Sequence, residues 1–403
     1  MEWLVLGVMR GRHGGRAKAR REPGMHRIVV LGGGYTGMIA AIRVARRARR
    51  LGVVVTVVNP SERFAERLRM HQVASGQVVR EVGIPELLRG TGIEFVQGWA
   101  ERVDPGRREV SVGGRVVGYD TLVYAIGSVA QTGTVPGAEA HAYTLNSVES
   151  AARLADLLAA RTGATVAVVG GGLTGVEAAA EIAERHPAAR VLLLSRDVPG
   201  SMMSARARAH LDRALRRLGV GVRTGVEVTK VLPDGVELAG GEVVGADATL
   251  WTTGFTASPL AAEAGIAVDG RGRIVVDATL RSVSHPDIVA IGDAAAITQR
   301  WGTIHGTCQS GIPSGAHAAD SIARVLAGKP AKPFRFGYIH QPVSLGRRDA
   351  VIQFTRPDDT PRRWFLKGRA AVVYKELVTR SPLPSYRLSK HLTVPAAALS
   401  SRG

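Results

Sequence analysis

The sequence predicts an α/β protein built from two parallel βαβ units, and three observations predict it. Ile28-Val29-Val30-Leu31 runs straight into Gly32-Gly33-Gly34-Tyr35-Thr36-Gly37, and Val166-Ala167-Val168-Val169 runs into Gly170-Gly171-Gly172-Leu173-Thr174-Gly175. Short apolar runs alternate with helix-period segments along most of the chain. Both halves also share one order: glycine loop, βαβ unit, meander, apolar strand, glycine. That repetition points to an internal duplication.

Each loop has the form G-x-G-x-x-G between a strand and a helix, the setting in which this pattern binds a dinucleotide. The first glycine makes the tight turn. The second lets backbone approach a pyrophosphate, and the third lets helix and strand pack closely, leaving the phosphates at a helix N-terminus. Gly32, Gly34 and Gly37 are therefore the candidates at one site, and Gly170, Gly172 and Gly175 at the other. Two such sites in one chain point to two dinucleotides, and the usual pair is a flavin with a nicotinamide.

In chain order, residues 26–31 read as a strand, 36–50 as a helix and 53–58 as a second strand, with right-handed parallel connectivity. A short helix over 84–88, a strand over 93–97 and a meander over 102–117 follow. Residues 119–127 form a buried strand ending in Gly127. The second unit repeats the scheme with a strand over 165–169, a helix over 175–185 and a strand over 190–194. A helix over 205–218, a second meander and a strand over 248–253 then close with Gly254.

The chain has 403 residues, 45% of them apolar, enough to bury two or three domain cores. Its single cysteine, Cys308, excludes an internal disulfide, a CxxC pair and a multi-cysteine metal centre. No metal site is expected, and a reducing, cytoplasmic setting fits. The net charge is +19. Arginines crowd the first stretch and recur at Arg43, Arg46, Arg47, Arg49 and Arg50, where they form a solvated helix face or meet an anionic partner. Nucleic acid is not demanded. The apolar run over residues 3–9 is too short to span a membrane, and its basic residues follow it, opposite to a secretory signal. Residues 1–24 read as a disordered basic tail, and Met25 offers an alternative start.

The strand-plus-glycine motif over 121–127 and Ile288-Val289-Ala290-Ile291-Gly292-Asp293-Ala294-Ala295 join the two loops in a further pattern. Over roughly residues 26–335 the chain resembles the two-dinucleotide-binding-domain flavoproteins, the pyridine nucleotide-disulfide oxidoreductase superfamily. The resemblance implies two Rossmann-like domains with small β-meanders. A discontinuous FAD-binding domain would cover 25–140 and 256–335, with an NAD(P)H-binding domain over 141–255 inserted. It also implies that Gly127 and Gly292 line the flavin site and that Asp293 hydrogen-bonds the ribityl chain.

The missing cysteine pair removes the disulfide reductases. Type II NADH:quinone oxidoreductase-like enzymes are the most similar, and they pass hydride from a nicotinamide to FAD and electrons to a quinone. That likeness implies that Glu177 lies near both rings. Three departures leave matters open. The paired glutamines of the quinone signature are replaced by Pro313-Ser314, so a quinone, another small acceptor or a redox protein remains admissible. Ser195 and Arg196 stand where an acidic residue grips the ribose of NAD; a guanidinium suits a 2′-phosphate, favouring NADPH over NADH. Asn59 replaces the acidic residue of the first unit.

His71 is a candidate for handling the proton that accompanies electron transfer, since histidine titrates near neutrality. Cys308 is read as a structural thiol or a reactive one near the flavin. Residues 336–403 are expected to form an interface or membrane-surface segment: Ala370, Val373, Tyr374 and Leu377 share one helix face, which would rest on the inner face of a membrane, on the flavin domain or on a second copy in a homodimer. The reading is an FAD-dependent NAD(P)H oxidoreductase. A reductase of a redox protein such as a ferredoxin is the alternative, and a flavin- and nicotinamide-binding sensor with little turnover is the alternative of another class.

Overall fold

A computed structural model describes residues 24–392; most of the expected basic tail and the last eleven residues lie outside them. Runs of β-branched residues build the first sheet. Strands β1 (His26–Leu31), β2 (Val53–Asn59), β3 (Glu94–Gln97) and β4 (Thr121–Tyr124) run in parallel, with helix α1 (Tyr35–Arg47) crossing from β1 to β2. Helix α1 is shorter than its expected end at residue 50, because the Ala48 N–H closes the last turn on the Val44 carbonyl. Gly52, at φ +63°, then turns the chain into β2.

The second sheet repeats the plan with β5 (Ala142–Thr144), β6 (Thr165–Val169), α2 (Leu173–Arg185), β7 (Arg190–Ser195), β8 (Gly221–Thr224) and β9 (Ala248–Trp251). Its parallel order is β8-β7-β6-β9-β5. The chain then returns to the first sheet. Strand β10 (Ile288–Ala290) pairs in parallel with β4 and completes the order β10-β4-β1-β2-β3.

Helix α3 (Cys308–Leu326) packs along α1. The approach is close enough to require glycine: a Cβ on Gly311 would lie 2.5 Å from Thr36 Oγ1, and one on Gly315 would lie 2.5 Å from the Thr36 carbonyl oxygen. Arg43 of α1, 3% exposed, donates to both oxygens of Asp320 on α3 at 2.8 and 2.7 Å. The two sequence-distant parts of the first unit are thereby joined both by packing and by charge.

The C-terminal part forms an antiparallel sheet of β11 (His340–Ser344), β12 (Ala350–Thr355) and β13 (Pro361–Lys367), followed by α4 (Gly368–Arg380) and α5 (Pro382–Ser389). Val343, Leu345 and Val351 are fully buried in the same core as Leu154, Val176 and Ile182 of the second unit. Each such side chain contributes about 1.5–3 kcal/mol by burial. Helix α5 docks on the first unit instead, where buried Tyr386 donates its hydroxyl to the Tyr35 carbonyl at 3.0 Å. The apolar face expected on α4 is divided. Tyr374 turns inward to His340 at 2.7 Å, while Val373 and Leu377 remain 62% and 66% exposed.

Candidate functional site

The two glycine loops have the same division of labour. Gly32 and Gly170 sit at φ +103° and +119°, where an L side chain is strained. A Cβ on Gly37 would overlap the Gly32 carbonyl, and one on Gly175 would overlap the Gly170 carbonyl, so helix and turn can meet only there. Gly34 and Gly172 are different: a Cβ on either meets nothing within 4 Å. They cap α1 and α2, and neither helix start has a side chain accepting from its first N–H groups. Each unit therefore presents free amide donors at the positive end of a helix dipole, facing open space. This fits a pyrophosphate.

The positions that would meet the ribose groups are less alike. Asn59, at the end of β2, accepts the Gly33 N–H at 2.9 Å through Oδ1 and donates to the Ser61 carbonyl at 2.7 Å through Nδ2. It braces the loop with both polar atoms. Ser195, at the end of β7, is buried beneath Gly171, whose missing side chain makes the space for it. The Arg196 side chain is 72% exposed, and its ion-pair partner Glu227 is distant at 3.9 Å.

Around the end of β10, Gly127 and Gly292 adopt φ +75° and +64°. Ser128 donates to Asp293 Oδ2 at 2.9 Å, and the Arg67 guanidinium donates to the Ser128 carbonyl at 2.8 Å. A Cβ on Gly306 would lie 2.5 Å from Asp293 Oδ1, so the chain passes close to this carboxylate. Helix α3 starts beside it with a capping box between Thr307 and Ser310. Cys308, at the first turn, is protonated: burial, then Asp293, push its thiol up to about 12. That favours the structural reading of this cysteine over the reactive one.

The third feature is a buried charge cluster assembled from three regions of the chain. Lys375 of α4 pairs with Glu177 Oε1 of α2 at 2.8 Å, and Ser344 donates to the same oxygen through its N–H at 2.9 Å and its hydroxyl at 3.1 Å. One turn along α2, the almost fully buried Glu181 accepts from Gln77 at 2.6 Å and from Arg347 at 3.4 Å. Arg347 continues to Glu376, which also accepts from Arg69 at 2.8 Å. Burial alone would raise the Glu177 carboxyl. Lys375, His71 and the Ser344 hydrogen bond outweigh it and hold it below the usual range, so the side chain is a carboxylate.

His71 lies inside this cluster, 4.0 Å from Glu177 and 3.9 Å from Glu181. Its expected titration near neutrality does not survive the fold. Burial, aided by Lys375, Arg347 and Arg69 and opposed by Glu177, lowers its pKa to about 4. The imidazole is neutral at physiological pH and cannot act there as a ready proton donor. His340, next to Tyr374, is lowered to about 4 by burial and by Lys375.

The structure thus brings Glu177 and His71 together, gathers Gly127, Gly292 and Asp293 at a second place, and sets Ser195 and Arg196 beside the second loop. Sequence reasoning missed Lys375, Ser344, Arg347 and Ser128. The spacing of Glu177 and Glu181, two carboxylates one turn apart on a helix that packs against a sheet, was the available signal for a buried cationic partner.

The pyridine nucleotide-disulphide oxidoreductase family model matches residues 26–321. An NADH dehydrogenase-like protein of Mycobacterium tuberculosis is 32% identical over 399 residues, covering 93% of this chain and 98% of that protein. An alternative NAD(P)H-ubiquinone oxidoreductase of Arabidopsis thaliana is 29% identical, covering 81% and 72%. Among solved structures, NDH2 of Plasmodium falciparum in complex with NADH superposes with a TM-score of 0.76 at 16% identity, covering 92% of this chain and 99% of that one. The sulfide:quinone oxidoreductase of Aquifex aeolicus gives 0.75 at 20%, covering 90% and 92%. At such identities these structures speak for the fold. Fold and site define a two-cradle flavoprotein oxidoreductase. The chain belongs to the pyridine nucleotide-disulphide oxidoreductase family, and its likeness to relatives extends beyond residue 335, where the sequence motifs end.

Proposed function

We propose that this protein oxidises NADPH or NADH and delivers the electrons to a quinone at a membrane surface. The carrying observation is the pair of open phosphate cradles at Gly34 and Gly172 on two parallel sheets within one chain. FAD would be held by Gly32, Gly34, Gly37, Gly127, Gly292 and Asp293, and the nicotinamide dinucleotide by Gly170, Gly172, Gly175, Ser195 and Arg196. FAD, when bound, supplies the two-electron carrier between nicotinamide and acceptor. The protein binds, orients and sets charge. Ser128 fixes the Asp293 carboxylate, which would hold the ribityl chain of a bound FAD. The Glu177–Lys375 pair holds one negative and one positive charge at the junction of the second unit and the C-terminal part, while neutral His71 adds none.

A cleft of about 400 Å³ lined by Tyr338, Ile339, Phe354, Thr355, Arg362 and Trp364 is apolar and aromatic, as a quinone ring requires. Exposed Trp364, Val373 and Leu377, with Arg362, Arg363 and Arg369 nearby in sequence, would rest on an anionic bilayer. Among the described residues no helix is long and apolar enough to cross one. The names of the Mycobacterium and Arabidopsis relatives support the reading.

Anaerobic titration with NADPH and NADH, following flavin absorbance near about 450 nm, tests it. We expect bleaching by both, more readily by NADPH, and an Arg196→Asp variant that shifts the preference toward NADH by about tenfold or more. A bound flavin that neither nucleotide bleaches would sink the proposal.

A further inference from the structure

The arginines after the first glycine loop do more than form a solvated face. With the end of α3 and the residues after α5 they enclose a cleft of about 860 Å³. Arg49, Arg50, Arg324, Lys329, Lys332 and Lys390 line it, brought together from three separate stretches of chain. Asp320 is the one carboxylate among the described lining residues, and it is already engaged by Arg43 and Arg47. Arg49, Arg50, Lys329 and Lys332 have no ion pair among the described residues. Like charges gathered in a concave surface repel one another, and a bound anion relieves that repulsion.

We infer that this cleft is a binding site for a small, multiply charged phosphate anion of the oligophosphate class. Phosphate-rich anions match rigid guanidinium forks and ammonium groups in number and geometry. The lining argues against other occupants. No Phe, Tyr or Trp among the described residues lines the cleft, so it lacks the stacking platforms that hold single-stranded nucleic acid. Its apolar lining is confined to Leu51, Ala323 and Ala327, too little to anchor a bilayer. Its volume suits a molecule of nucleotide size or smaller. Lys390, whose ammonium donates to the Arg89 carbonyl at 2.8 Å, adds a further cation to the lining.

Isothermal titration of the flavin-loaded protein with tripolyphosphate is the test, with orthophosphate as the weaker comparison. We expect saturable binding that weakens about tenfold or more on raising salt from about 0.05 to about 0.5 M. The double variant Arg49→Glu, Lys332→Glu should lose at least about tenfold in affinity. Arg206→Glu, Arg213→Glu, an equal charge change on exposed positions of another helix, should bind as the parent does. Melting of each variant without ligand separates lost binding from lost folding. Absence of saturable binding, or equal losses in both double variants, overturns the proposal. So does a cleft variant that loses binding to phosphatidylglycerol vesicles or to DNA while its tripolyphosphate affinity is unchanged.

Discussion

Gly34 and Gly172 differ from their neighbours in that a Cβ on either would meet nothing, and on the proposed reading that open space is where a phosphate would sit. Their φ values of −76° and −67° suit any residue. Gly172→Val should therefore melt within about 1 kcal/mol of the parent and keep its flavin, while its KM for the nicotinamide rises at least about tenfold. A variant with unchanged KM would place the dinucleotide elsewhere. At Lys375 the expectation reverses. Lys375→Met strands the buried Glu177 carboxylate and should cost about 3–5 kcal/mol, and adding Glu177→Gln should restore most of it. Thermal unfolding reads both; a Lys375→Met variant as stable as the parent would mean the pair contributes nothing. The glycine positions were legible in the sequence because each obeys a local geometric rule. Lys375 was not, because its partner is set by how α4 and α2 meet, and no local pattern encodes that meeting.

Among the elements, α4 is the one whose chemistry is only half internal. Ala371 and Thr379 are buried, whereas Val373 and Leu377 are exposed, as is Trp364 of β13. Val373→Glu with Leu377→Glu should abolish co-sedimentation with anionic vesicles, yet leave turnover of a water-soluble quinone analogue within about twofold, since these side chains support no core. Vesicle binding that survives both changes would move the contact elsewhere. The strands and helices of both units were readable from apolar runs and glycine punctuation, with ends differing by a few residues where capping decided. The division of the α4 face was not readable. Helical periodicity put Tyr374 with Val373 and Leu377, but a hydrogen bond to His340 drew it inward.

For the whole molecule, stability should begin to fall on the acid side below about pH 6.5, where the buried histidines start to oppose folding. His71 and His340 have folded pKa values near 4, below the ordinary 6.5, so the unfolded chain binds protons first as the medium acidifies. Their neutral burial is fully compatible with folding above about pH 6.5, and stability declines as pH drops from there toward 4, by about 3 kcal/mol for His71. The melting temperature should drop over that range, and His71→Gln should flatten the slope; an equally steep slope in the variant would assign it to other groups. The two-sheet plan was legible at this scale because the duplicated motif order states it. The use of β11 and β12 to complete the core of the second unit was hidden, since that packing depends on the shape of a surface that exists only after folding.

The charge cluster of Glu177, Glu181, Arg347, Glu376 and Arg69 has a kinetic corollary. It ties the segment after β2 to α4 through Arg69 and Glu376, and α2 to the C-terminal part through Glu177–Lys375 and Glu181–Arg347, so a hinge between the two dinucleotide units would work against these ion pairs. On the proposed reading a nucleotide would then come and go by diffusion, without waiting for the two units to swing apart.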